Sequence, residues 1–140
     1  MVDIIFPSDV MGVQEARLIF GEESAFGIYQ LKRNEEALSY RFEPYENLRR
    51  RGLTINRQYY ELVYTAALLI PDELASLNRI YEVFNDRHPA DFIGHSLSVS
   101  DVIVLQRQGQ ISCYYVDVIG FKKLPSFWET QEHEYGSTPV

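Results

Sequence analysis

Residues 101–118, DVIVLQRQGQISCYYVDV, constrain the fold more than any other part of the chain. Two apolar runs flank Gln108-Gly109, a dipeptide suited to a two-residue hairpin turn, because glycine accepts the positive φ such turns demand. With that turn, Arg107 faces Gln110, Val104 faces Cys113, Ile103 faces Tyr114, Asp101 faces Val116 and Ser100 faces Asp117. Both faces of the ribbon carry Ile, Val, Leu or Tyr. A two-sided apolar hairpin cannot sit at an open surface, so these are central strands with a helix over at least one side.

The rest of the chain supplies partners for that ribbon. AFGIYQLK (25–32) reads as a strand, and LSYRF (38–42) is expected to pair back with it across Arg33-Asn34-Glu35. PYENLRRRG has the punctuation of a short helix. Pro44 suits the first position, Gly52 the position after the end, and Arg49 to Arg51 oppose the negative C-terminal dipole. QYYELVYTAALLI (58–70) is rich in aromatic and β-branched residues and reads as a buried strand. From Pro71-Asp72-Glu73 onward, Leu74, Leu77, Ile80, Tyr81 and Phe84 recur at helical spacing, which predicts a helix ending between Asn85 and His88 ahead of Pro89. Residues 1–23 form an N-terminal arm in which DIIF reads as a short strand and VQEARLIF as a helical turn or a strand. Residues 129–140 read as a frayed acidic tail. The expected fold class is α+β: a mainly antiparallel sheet packed against one long and one short helix, with residues 24–128 as the domain.

Composition narrows the class of function. The chain has 140 residues, enough for one domain with a real core, and its ten Tyr and eight Phe argue against disorder. A formal net charge of −7 disfavours direct binding to a nucleic-acid backbone, which draws its affinity from Lys and Arg. Acidic residues are interspersed with basic ones, which also weakens DNA mimicry. Cys113 is the one cysteine, so an intrachain disulfide is excluded and a reducing, cytoplasmic home is expected. No apolar run reaches the ~20 residues of a membrane span, and the N-terminus lacks the basic region of a signal peptide.

Residues 95–101, HSLSVSD, alternate polar and apolar side chains at the mouth of the hairpin. One reading makes His95 a base, Ser98 or Ser100 a nucleophile, and Asp101 or Asp117 the orienting carboxylate. The other makes the same Ser and Asp residues satisfy backbone groups where loop turns into strand. The absence of a Gly-x-Ser-x-Gly elbow favours the second. Cys113 in mid-strand has the setting of a buried, inert thiol. His88, His95 and His133 lack metal-ligand spacing, so no metal is expected, and without a phosphate-cradling glycine loop or dinucleotide fingerprint no cofactor is expected either. If the mouth of the hairpin binds a partner instead of reacting, His88, His95, Ser98, Asp101 and Tyr115 are the candidate contacts.

The run FNDRHPADFIGHSLSVSDVIVL, with IYQLK and YYELVY before it and YYVDVIGF after it, resembles the YodL-like domain family of bacterial proteins. The resemblance extends from about Phe26 to Phe127. It implies no assigned activity and no catalytic residues. It does imply carriage on conjugative or phage-like elements, sometimes as one segment of a larger protein. The expectation is therefore an accessory interaction module that binds a protein partner without chemistry. The alternative is a small hydrolase or transferase built on His95, Ser98, Ser100, Asp101 and Asp117.

Overall fold

A computed structural model describes residues 7–21, 23–86 and 94–127. The hairpin forms as its sequence predicts. Strand β3 (Val102–Arg107) turns at Gln108-Gly109 into β4 (Gln110–Val116), with Arg107 opposite Gln110 and Val104 opposite Cys113. Gly109 takes φ +87°, as the turn requires, and Gln108 joins it at φ +54°. Strand β1 (Ala25–Leu31) lies antiparallel on the other side of β3, and β2 (Tyr60–Ala67) lies antiparallel on β1. Strand β5 (Phe121–Lys123) closes the far edge, giving the order β2-β1-β3-β4-β5, antiparallel at every junction.

Both faces of the sheet are buried, as the two-sided apolar ribbon demanded. On one face Phe26, Ile28, Ile103, Leu105, Tyr114 and Val116 meet Leu77, Ile80 and Phe84 of the predicted helix, here α4 (Glu73–Asp86). Leu74 and Tyr81 were expected on that stripe, but they stay exposed or nearly so at its margin. On the other face Tyr29, Leu31, Val102, Val104, Cys113 and Tyr115 gather Leu18, Tyr40, Leu48, Leu124 and Phe127. Leu18 belongs to α1 (Pro7–Phe20), which makes residues 7–20 a second 14-residue helix and not a strand. Gly27 permits its approach: a Cβ there would stand 2.5 Å from Leu18 Cδ2.

The expected strand at 38–42 is not formed. Asn34 instead caps a short helix, α2 (Glu35–Leu38), its Oδ1 accepting from the Ala37 N–H at 2.8 Å, with Glu35 and Glu36 in the first turn. Ala37 and Tyr40, three residues apart, bury together against the core. That helical spacing outweighed the β propensity of Tyr40 and Phe42. The predicted short helix follows as α3 (Tyr45–Arg50), with Gly52 at φ +71° just beyond its end. The fold is therefore α+β with an antiparallel sheet, but with two long and two short helices among the described residues where one of each was expected. Residues 58–59 belong to a 3-10 turn capped by Asn56, so β2 starts at Tyr60 and is shorter than the sequence run.

Candidate functional site

The mouth of the hairpin lies where β1 ends and β3 begins, and its geometry starts from a bulge. The Ser100 N–H donates to the Val116 carbonyl at 2.9 Å, while the Val116 N–H donates to the Asp101 carbonyl at 2.8 Å. Two residues thus face one, with Ser100 at φ +89° and the Asp101 N–H closing a turn onto the Ser98 carbonyl. Glycine normally occupies that bulge position; here a serine does, and the strain costs about 1–3 kcal/mol. The hydroxyl offers a compensation. Ser100 Oγ accepts from the Phe42 N–H at 3.1 Å, and the Tyr60 hydroxyl donates to the Ser100 carbonyl at 2.7 Å. Phe42 is itself at φ +63°, so two left-handed, non-glycine residues are bonded to each other.

The bulge alters the pairing expected of Ser100 and Asp117, which do not bond across the strands. Asp117 Oδ1 instead accepts from the N–H groups of Tyr45 at 3.0 Å and Val118 at 2.8 Å, so it ties the start of α3 to the end of β4. Tyr115, expected as a partner contact, is wholly buried and its hydroxyl donates to the Glu43 carbonyl at 2.5 Å. It is a core residue and not a surface one. His88 and His133 lie outside the described residues.

Asp101 is 1% exposed. Its Oδ2 accepts from the Ser98 N–H at 2.9 Å and from Gln30 Nε2 at 3.1 Å. Gln30 also clamps the backbone of His95, donating to its carbonyl at 2.8 Å and accepting from its N–H at 3.2 Å. His95 Nδ1 lies 2.8 Å from the Ser96 carbonyl, which selects the tautomer with its proton on Nδ1. Nε2 then faces Asp101 Oδ1 at 3.8 Å. Burial pushes the Asp101 carboxyl up to about 8, against the lowering effect of the Ser98 and Gln30 bonds and of the Arg41 charge. At neutral pH burial therefore favours the protonated acid, and the 3.8 Å to His95 Nε2 is a facing contact longer than a hydrogen bond.

Ser98 donates through Oγ to the Ser96 carbonyl at 3.2 Å. Among the described residues the His95 ring meets Gln30 and the Ser96 carbonyl, and no hydroxyl or thiol. Cys113 is buried on the opposite face of the sheet, its thiol pushed up to about 12 by desolvation. Of the expected constellation, His95 and Asp101 are brought together, while Ser98, Ser100 and Asp117 are each engaged by backbone. Among the described residues no group of three His, Cys, Asp or Glu could hold a metal ion, and no helix is long and apolar enough to cross a membrane.

Sequence reasoning passed over the other residues that gather here. Gln30 was legible as a polar residue inside the apolar run AFGIYQL, and it is 3% exposed. A narrow notch of about 20 Å³ opens beside Asp101, lined by Leu31, Arg33, Leu38, Arg41, His95 and Ser100. At the same end of the sheet, the turn from Asp117 to Gly120 presents Val118 at 62% and Ile119 at 85% exposure. Phe42 is 55% exposed, with the Arg41 guanidinium 4.7 Å from its ring centroid. A family model described as YodL-like domain matches residues 25–127. No curated protein and no solved structure matches the chain.

Proposed function

The chain belongs to the YodL-like domain family, and from that premise we propose that it is an accessory module of a conjugative or phage-like bacterial element that docks a protein partner in the cytoplasm and performs no chemistry. The observation that carries this reading is the apolar tip Val118-Ile119. Turns favour Gly, Asn, Asp, Ser and Pro. Two β-branched aliphatics held in solvent forgo about 1.5–3 kcal/mol of burial each. Asp117 holds this tip through the bonds to Tyr45 and Val118, so the surface is built and not frayed. Phe42 adds an exposed aromatic at the same end, and exposed apolar clusters of this kind serve as docking surfaces.

The polar groups around the tip support the same reading. Ser98, Ser100 and Asp117 spend their oxygens on backbone, which makes the mouth a rigid scaffold. The alternative, a small hydrolase or transferase, draws on one arrangement only: His95 Nε2 facing a protonated, buried Asp101 beside the notch. Among the described residues no nucleophile stands at the His95 ring.

The test compares the parent with Val118→Asp/Ile119→Asp in quantitative pull-downs from a bacterial lysate. Both substitutions lie on the surface and should leave the thermal midpoint within about 2 °C. The expected result is a defined protein set enriched by the parent and lost from the double variant. Equal enrichment by both would refute docking at this tip.

A further inference from the structure

Several arginines in this acidic chain find carboxylates. Arg49 and Arg50 pair with Glu46, Arg57 with Glu15, Arg79 with Glu82, and Arg107 lies 4.0 Å from Glu73. Among the described residues Arg17, Arg33, Arg41 and Arg51 do not, and of these Arg33 and Arg41 share one notch. Both are exposed, both line the notch beside Asp101, and among the described residues neither has a carboxylate within ion-pair distance. Asp101 is the one acid in the lining, and its Oδ2 is committed to Ser98 and Gln30 while Oδ1 faces His95. The notch therefore presents two uncompensated guanidinium groups and a half-exposed imidazole on a molecule whose net charge is −7.

The surrounding backbone is held in costly conformations. Phe42, next to Arg41, and Ser100, in the notch wall, are the left-handed pair bonded to each other. Such strain persists only where neighbouring structure enforces it, and it concentrates at ligand clamps and switch regions. Here it fixes the position from which Arg41 leaves the chain.

We propose that the Arg33–Arg41 notch receives a single carboxylate, the side chain of an Asp or Glu on the docking partner. This rests on the partner-docking reading and specifies its chemistry. The planar, forked guanidinium group matches a carboxylate in two-point geometry. The notch volume of about 20 Å³ admits the tip of one such group and not a small-molecule ligand, whose pockets run to ~300 Å³ or more. A phosphate, with about −1.5 to −2 charges, is the competing anion, and inorganic phosphate is therefore one arm of the test. The carboxylate supplies register and discrimination among partners, while the apolar tip supplies buried area.

The test is an NMR titration of the full chain at low salt, following the Arg33 and Arg41 side-chain signals. The probes are the blocked tripeptide Gly-Glu-Gly, its Gly-Gln-Gly counterpart and inorganic phosphate. Saturable shifts with the Glu peptide, at least tenfold weaker with the Gln peptide and in Arg33→Gln/Arg41→Gln, are expected. Should the double variant lose stability, Arg33→Gln alone carries the comparison, since Arg33 is exposed. Equal response to the Glu and Gln peptides, undiminished shifts in the variant, or tighter saturation by phosphate would each overturn the proposal. The tripeptides carry no apolar side chain, so this titration and the Val118-Ile119 pull-down can fail independently.

Discussion

Asp101→Asn should stabilise the protein at neutral pH and destabilise it in acid. Burial raises the folded carboxyl from its ordinary 3.8 to about 8. Its contribution is thus fully present below pH ~4 and declines as the pH climbs toward 8, because the unfolded chain releases a proton that the folded chain retains. By pH 7 folding forfeits about 4 kcal/mol on this account, at ~1.4 kcal/mol per unit. Asparagine escapes that cost. Its oxygen can take the bonds from the Ser98 N–H and Gln30 Nε2 that now reach Oδ2. Its amide must then stand where Oδ1 faces His95 across 3.8 Å, with one N–H unpaired, which costs about 1–3 kcal/mol. The balance is a gain of about 2 kcal/mol at pH 7, roughly 6 °C in thermal midpoint for a chain of this length. At pH 4 only the cost remains and the variant should melt below the parent. Circular-dichroism melts of both proteins from pH 4 to 8.5 check this. His95, Tyr60, Tyr115 and Arg41 surround Asp101 in both proteins, so the difference between the two curves isolates the carboxyl. A gap that does not change with pH would refute the reasoning, since it would mean that Asp101 is ionised in the fold.

Three further outcomes follow from the same geometry. Gly27→Ala should lower stability by about 1–3 kcal/mol in urea, because the new Cβ would lie 2.5 Å from Leu18 Cδ2 and 3.0 Å from Leu62 Cδ1; an unchanged urea midpoint would mean that α1 does not dock there. Ser100→Gly should be more stable than Ser100→Ala, since both lose the bond to the Phe42 N–H but only glycine relieves the positive φ. Equal unfolding free energies would deny the strain. Cys113, buried and with its thiol raised to about 12, should resist a disulfide reagent at pH 8 until urea opens the sheet. Rapid labelling of the native protein would contradict that burial.

The hairpin and α4 were legible because each is written in local terms: a glycine turn between apolar runs, and an apolar stripe at helical spacing behind Pro71-Asp72-Glu73. Register follows from the turn, and two apolar faces demand cover on both sides, so the class of fold came with it. The segment 34–42 misled because Asn34 suits both a hairpin turn and a helix cap; burial of Ala37 and Tyr40 together chose the cap. Residues 95–101 announced themselves by polarity, but a run of Ser and Asp reads alike whether it reacts or holds backbone. Only the bulge at Ser100 decided which groups those side chains meet, and it broke the Ser100–Asp117 pairing that strict alternation implied. The notch was beyond sequence reading for a plainer reason. Gln30, Arg33 and Arg41 lie more than fifty residues from His95 and Asp101, and a single sequence carries no signal of which distant side chains share a sheet end. Local patterning determined the β3–β4 hairpin with its register and the main helix, whereas long-range packing decided the neighbours of β1, the closing strand β5 and the company that Asp101 keeps.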